Sequence, residues 1–178
     1  MKKIILTHNI PKNNNNNNKP IKIREKINNL KIDISNCINN YEQQIIMINK
    51  LYMGVDFNEK KFVLSELKNK INSYKSQDYK KEFILDTNLI NLDSLIEKLV
   101  CCKLKCYYCN NKMLVLFDKV RDDDQWTLDR LNNLDEHSSQ NTIISCLKCN
   151  LQRRRKNSEK FKFTKQLQTN QIIIKKIE

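Results

Sequence analysis

The sequence predicts an α+β protein, an N-terminal helical region followed by a small ββα module clamped by cysteines. Three observations carry this expectation. Apolar residues recur at helical spacing between Asn36 and Val100, four of seven cysteines form two C-x-x-C pairs beyond Val100, and two short apolar runs lie between those pairs.

Each helix has its own stripe. Tyr41, Ile45, Ile48, Tyr52 and Val55 follow one another at spacings of 4, 3, 4 and 3, with Gly54 as a helix stop. A second helix is expected from about Glu59 to Tyr74, with Val63, Leu67, Ile71 and Tyr74 on one face. Leu92, Leu95, Ile96 and Leu99 mark a third, with Asn91 and Asp93 as candidate caps. Polar outer faces make these a small bundle in which no residue reads as a site. Beyond them, MLVLF (113–117) and QWTL (125–128) are the strand candidates, RDDDQ is the hairpin loop between them, and a helix is expected from Cys149 to about Lys156. The organisation is therefore a disordered arm with an Asn-rich linker over 1–20, a helical region over 21–100, the module over 101–157 and a basic C-terminal tail over 158–178.

Composition excludes whole classes. The 178 residues suffice for one ordinary domain or two small ones. With one glycine and two prolines, collagen and most turn-rich sandwiches drop out. Gly54 alone cannot build a Gly-rich phosphate loop or a dinucleotide fingerprint. No apolar run approaches the ~18 residues of a membrane span. Ile4, Ile5 and Leu6 are too few for the core of a signal peptide. The expectation is an intracellular chain, cytoplasmic or nuclear (in a host cell if viral or carried by a mobile element), with no membrane partner. Lys and Arg number 33 against 20 acids, a net charge of +13. Part of that excess follows from the Asn-, Lys- and Ile-rich composition of AT-rich coding, so the position of the charge matters more than its sum.

Cys106-Tyr-Tyr-Cys109 and Cys146-Leu-Lys-Cys149 stand 36 residues apart. Each pair turns two thiolates toward one point, and two pairs complete a closed tetrahedral zinc site with no open position, hence a structural one. The module is then treble-clef-like, its metal joining the first knuckle to the start of the last helix. Disulfides, a thioredoxin-like redox pair and inert thiols are the alternatives. Disulfides suit secreted chains, and redox motifs use one pair rather than two. Cys101 and Cys102 are expected to be buried or idle at a helix end, and Cys37 to lie on a helix face.

Between the pairs runs Trp126-Thr127-Leu128-Asp129-Arg130-Leu131-Asn132-Asn133, then Glu136-His137, then Asn141-Thr142-Ile143-Ile144, and Cys149 is followed by Asn150. A knuckle, a strand ending Leu-Asp-Arg, a downstream Asn before an apolar pair and C-x-x-C-Asn together resemble the HNH, or ββα-metal, endonucleases. The likeness is to the zinc-bearing branch that includes recombination endonuclease VII and phage or intron HNH enzymes, and it covers about residues 104–156. It implies Asp129 and Asn150 as ligands of a catalytic Mg²⁺ or Mn²⁺, and Asn141 as the middle Asn that fixes the loop. Independently, an Asp at a strand end and an Asn opening a helix offer hard oxygens to such an ion; alternatively the two cap a turn and a helix. Arg130 departs from the family pattern, which places a basic His there. An arginine stays protonated, so it suits gripping a phosphate, and His137 becomes the candidate base unless metal-bound hydroxide acts alone. Because the thiolate site does not use Asp129, Asp129→Ala is expected to keep zinc and fold.

Residues 148–178 hold ten Lys and Arg against two acids. Arg153, Arg154, Arg155 and Lys156 follow the zinc corner, and with Arg130 they form the expected nucleic-acid-binding set. Four successive helical residues cannot share one face, so some should meet phosphates and others solvent or acids. The expected function is a metal-dependent endonuclease acting on DNA through an HNH-like site. The alternative is a non-catalytic, zinc-stabilised binding protein for DNA or RNA.

Overall fold

A computed structural model describes residues 22–23, 34–83 and 89–174, with side chains as far as Gln168. The expected arm and linker over 1–20 and the tail beyond 174 lie outside the described residues. Three helices come first: α1 (Tyr41–Tyr52), α2 (Lys60–Lys80) and α3 (Leu92–Cys101). A two-stranded antiparallel sheet follows, β1 (Trp126–Arg130) and β2 (Thr142–Cys146), then α4 (Leu147–Arg153) and α5 (Ser158–Ile174). The fold is α+β. No helix among the described residues is long and apolar enough to cross a membrane.

The helices form where the periodicity places them, but the buried face of α1 is Gln44, Met47, Ile48 and Leu51, and Tyr52 and Val55 of the expected stripe are exposed. Asn40 caps α1 by accepting from the Gln43 amide, and Asn91 caps α3 by accepting from Ser94. Gly54 follows α1 at φ +71°, a left-handed conformation that glycine adopts without penalty. Helix α2 runs one and a half turns beyond the expected end at Tyr74, and that extension carries Asp78 into the interior. Segment 158–174, expected as a tail, is helix α5, pinned by Phe161 packing edge-on against Tyr108.

Two expectations about strands need correction. MLVLF is not a strand. Met113 donates to the Leu104 carbonyl, Leu114 exchanges bonds with Asp124 and Trp126, and Gln44, buried on α1, serves the rest: Oε1 accepts from Val115 and Leu116, while Nε2 donates to the carbonyls of Leu116 and Cys37. The hairpin consequently lies further along, β1 pairing with β2 in the register Trp126–Cys146 to Arg130–Thr142, and residues 131–141 rather than RDDDQ connect them. Cys37 lies buried in the turn before α1, not on a helix face, and Cys101 is exposed.

One apolar core spans helices and sheet, with Ile48, Leu67, Leu95, Met113, Trp126 and Ile144 all buried in it. Strand β1 is buried along its whole length because both faces and its outer edge are covered. On that edge, Tyr74 of α2 accepts from the Leu128 amide and Lys70 donates to the Trp126 carbonyl, replacing a third strand. Removing the Gln44 fork strands several buried backbone groups, each worth about 1–3 kcal/mol. Gln44→Ala is expected to destabilise the protein by about 3 kcal/mol or more in denaturant unfolding, whereas a surface change such as Gln43→Ala should stay within about 0.5 kcal/mol.

Candidate functional site

The four paired cysteines converge, their sulfur atoms all within 4.8 Å of one another. Cys109 and Cys146 sulfurs stand 3.9 Å apart, against the edge of about 3.8 Å that a tetrahedron of ~2.3 Å zinc–sulfur bonds requires. Backbone amides complete the cradle: Cys146 donates to the Cys106 sulfur at 3.3 Å and Cys149 to the Cys146 sulfur at 3.4 Å. Hydrogen bonds from the other three thiols hold Cys106 well below the ordinary thiol range, and sharing that proton inventory with Cys106 pushes Cys146 and Cys149 up. Such a crowd of thiols fits a structural zinc ion, which would displace the remaining protons. We expect one equivalent of tightly held zinc by native mass spectrometry, and Cys146→Ser to lose both the metal and the cooperative unfolding transition.

Alternation along β1 sends its side chains two ways. Thr127 and Asp129 face α4. There Asn150 and Arg153, three residues apart and so on one helical face, meet them: Asn150 donates to Thr127 Oγ1 at 3.1 Å and the Leu128 carbonyl at 3.4 Å. Arg153 lays its guanidinium on Asp129, Nε to Oδ2 at 2.6 Å and Nη2 to Oδ1 at 2.7 Å. The Tyr108 hydroxyl donates to the same Oδ2 at 2.7 Å. Arg153 also reaches the Arg130 and Lys156 carbonyls and Asn133 Oδ1. It is only 1% exposed. Burial opposes its charge, but the Asp129 carboxylate outweighs that and raises its pKa. Burial, reinforced by the Asp129 charge, drives the Tyr108 phenol far up, so it stays a donor.

Arg153 is therefore not a surface contact for nucleic acid but the internal partner of Asp129. The carboxylate expected to hold Mg²⁺ or Mn²⁺ is engaged through both oxygens, so as it stands the site does not fit a divalent ion. Nor is Asp129→Ala a silent change, because it would leave a buried guanidinium unpaired.

Arg130 and Leu128 face the other way, toward α2. Asp78, fully buried there, accepts the His137 backbone amide at 2.8 Å on Oδ2 and the His137 Nδ1 proton at 2.7 Å on Oδ1. Arg130 Nη1 approaches the same carboxylate at 3.8 Å, donates to the Asp135 carbonyl at 2.9 Å, and stacks over Phe83 at 5.0 Å. His137 packs on the Tyr74 ring with centroids 4.7 Å apart. Among the described residues its Nε2 makes no hydrogen bond, and the side chain, 6% exposed, lines a cleft. Burial lowers the imidazole pKa below its ordinary value, partly offset by Asp78. Asn141 ties the 131–141 connection together, accepting from the Asn132 amide at 2.8 Å and donating to the Glu136 carbonyl at 2.9 Å.

These groups open on one cleft of about 1110 Å³, lined by Asp129, Arg130, His137, Asn150, Arg154, Arg155 and Lys156 together with Tyr74, Lys81 and Phe83. Arg154, at φ +53°, ends α4 and turns the chain so that its side chain and Lys156 also line a second groove, of about 900 Å³, with Lys160 and Lys165 of α5. Among the described residues no acidic side chain lines that second groove, and Asp129 is the one carboxylate of the first. Asp78 was missed by sequence reading because nothing local marks it: it lies 59 residues from His137. Arg153 left a signal in its spacing from Asn150.

Comparison with protein-family models, curated proteins and solved structures returns no match. Breaking a buried ion pair by removing one partner costs about 3–5 kcal/mol. Asp129→Ala and Arg153→Ala should each lose about that much in denaturant unfolding of the zinc-loaded protein, and the double variant should lose clearly less than the sum of the two.

Proposed function

We propose that the chain is a zinc-stabilised nucleic-acid-binding protein that grips a sugar-phosphate backbone in the cleft beside β1. The carrying observation is the charge of that cleft: Lys81, Arg130, Arg154, Arg155 and Lys156 line it, while its only carboxylate among the described residues is neutralised from within by Arg153. A phosphate entering there meets several positive charges, and the groove along α5 extends the same charge beyond it. Asn132 and Asn133 each keep one amide N–H for a phosphate oxygen, and Asn150 offers its amide oxygen to a sugar hydroxyl.

A metal-dependent HNH-type endonuclease is the second reading. Asp129 and Asn150 line the same cleft, and no hydrogen bond reaches the Asn150 amide oxygen among the described residues. It requires Arg153 to give up one carboxylate oxygen to the ion.

Binding should weaken steeply with salt. Replacing Arg154, Arg155 and Lys156 together by alanine is expected to flatten the slope of log affinity against log salt by about two to three units in fluorescence titrations with DNA and RNA oligonucleotides. An unchanged slope would reduce the run to a solvated face. Nicking that appears only with Mg²⁺ or Mn²⁺ and vanishes in Asp129→Asn would favour the second reading.

A further inference from the structure

We propose that the Asp78–His137 pair is the general base of a metal-independent ribonuclease activity, in which a ribose 2′-hydroxyl of RNA bound in the cleft attacks its own phosphodiester. The inference rests on the binding reading above and adds a reaction to it.

A carboxylate and an imidazole stand in line beside the cleft. Asp78 receives the Nδ1 proton, which fixes the tautomer and leaves Nε2 as the acceptor; among the described residues that nitrogen makes no hydrogen bond, and its side chain lines the cleft. The ring cannot rotate away. Its own backbone amide is held by the other Asp78 oxygen, and Tyr74 packs against its face. The charged groups acting on the imidazole are Asp78 on α2, Arg130 on β1 and Lys81 just past α2. Burial outweighs the carboxylate, so the ring is neutral and able to accept at pH 7.

The nucleophile follows from the state of Asp129. With both of its oxygens on Arg153 and Tyr108, the step has to be run by side chains alone. An intramolecular 2′-hydroxyl is the nucleophile best suited to that, being already held next to phosphorus. His137 Nε2 takes the 2′-hydroxyl proton and the 2′-oxygen bonds to phosphorus. The bond from phosphorus to the 5′-oxygen then breaks, and that oxygen leaves with a proton returned by the imidazolium or by solvent. The products are a 2′,3′-cyclic phosphate and a 5′-hydroxyl, with no net water, oxidant or metal consumed. Arg154, Arg155 and Lys156 supply positive charge where the pentacoordinate phosphorus gathers negative charge. Asp78 touches no substrate and is a positioning residue.

The test uses the full zinc-loaded chain without added Mg²⁺ or Mn²⁺ on an RNA oligonucleotide, with mass spectrometry of the ends. Cyclic phosphate ends are expected, and they should vanish when every ribose carries a 2′-O-methyl group. His137→Gln should lose roughly 10²–10⁴-fold in rate while still binding RNA. The wild-type rate should rise with pH through a midpoint below ~6.5 and then level off, since the base acts neutral. Asp78→Asn removes an influence that raises the imidazole pKa, so its midpoint should fall further and its plateau drop, whereas a purely structural role would change stability and leave the midpoint in place. If the wild type binds RNA but leaves it intact, or if cleavage persists at full rate in folded His137→Gln, this proposal is overturned and the binding reading survives. If no nucleic acid binds at all, both fall.

Discussion

The buried fork between Arg153 and Asp129 is the constraint on which the rest of the module depends. One guanidinium closes on the end of β1, on the loop through Asn133 and on the turn after α4 through the Lys156 carbonyl. Tyr108 brings the zinc knuckle to the same carboxylate. A charge so far from water is tolerable only when its donors are nearly all used, and the planar fork of arginine allows that where lysine would not. The metal cradle and the ion pair thus hold the two ends of a seven-residue helix whose own hydrogen bonds could not keep it folded.

The helical region is equally part of the site. A two-stranded ribbon is marginal alone, and its outer edge needs partners. Tyr74 and Lys70 of α2 provide them, and the same helix, one turn on, delivers Asp78 to His137. Gln44 does the corresponding work for Val115 and Leu116. Four polar or ionisable side chains from the helices therefore enter the module's interior, each because a backbone or imidazole group there would otherwise lack a partner.

What was legible in the sequence was local. The C-x-x-C pairs announce their convergence because the spacing within each pair already sets the geometry, and the helices announce themselves by period. The run at 113–117 misled because it satisfies a pattern rule while the partners of Val115 and Leu116 come from Gln44, more than seventy residues earlier. Arg153 sits in a run of four basic residues, where composition hides orientation; only its i+3 relation to Asn150 separates it from its exposed neighbours. Asp78 offered no signal, since an acid near the end of a polar helix looks like any solvated one until the fold places it.

Two buried carboxylates end up with different kinds of partner, and the difference sets how the cleft behaves. Asp129 is matched by a guanidinium that keeps its charge at every accessible pH, so that pair is a fixed element of the scaffold. Asp78 is matched chiefly by an imidazole that burial keeps neutral. Because the folded protein resists protonating His137 more than the unfolded chain does, this group contributes stability above ~6.5, and that contribution is lost as pH falls through the lower folded value. Acid would add one positive charge to a cleft already lined with cations and would occupy the nitrogen of His137 that could otherwise accept. Under the proposed readings phosphate grip and proton transfer would respond to pH in opposite directions, and Asp78, which partly offsets the effect of burial on that imidazole, lies on a helix outside the cysteine-bound module.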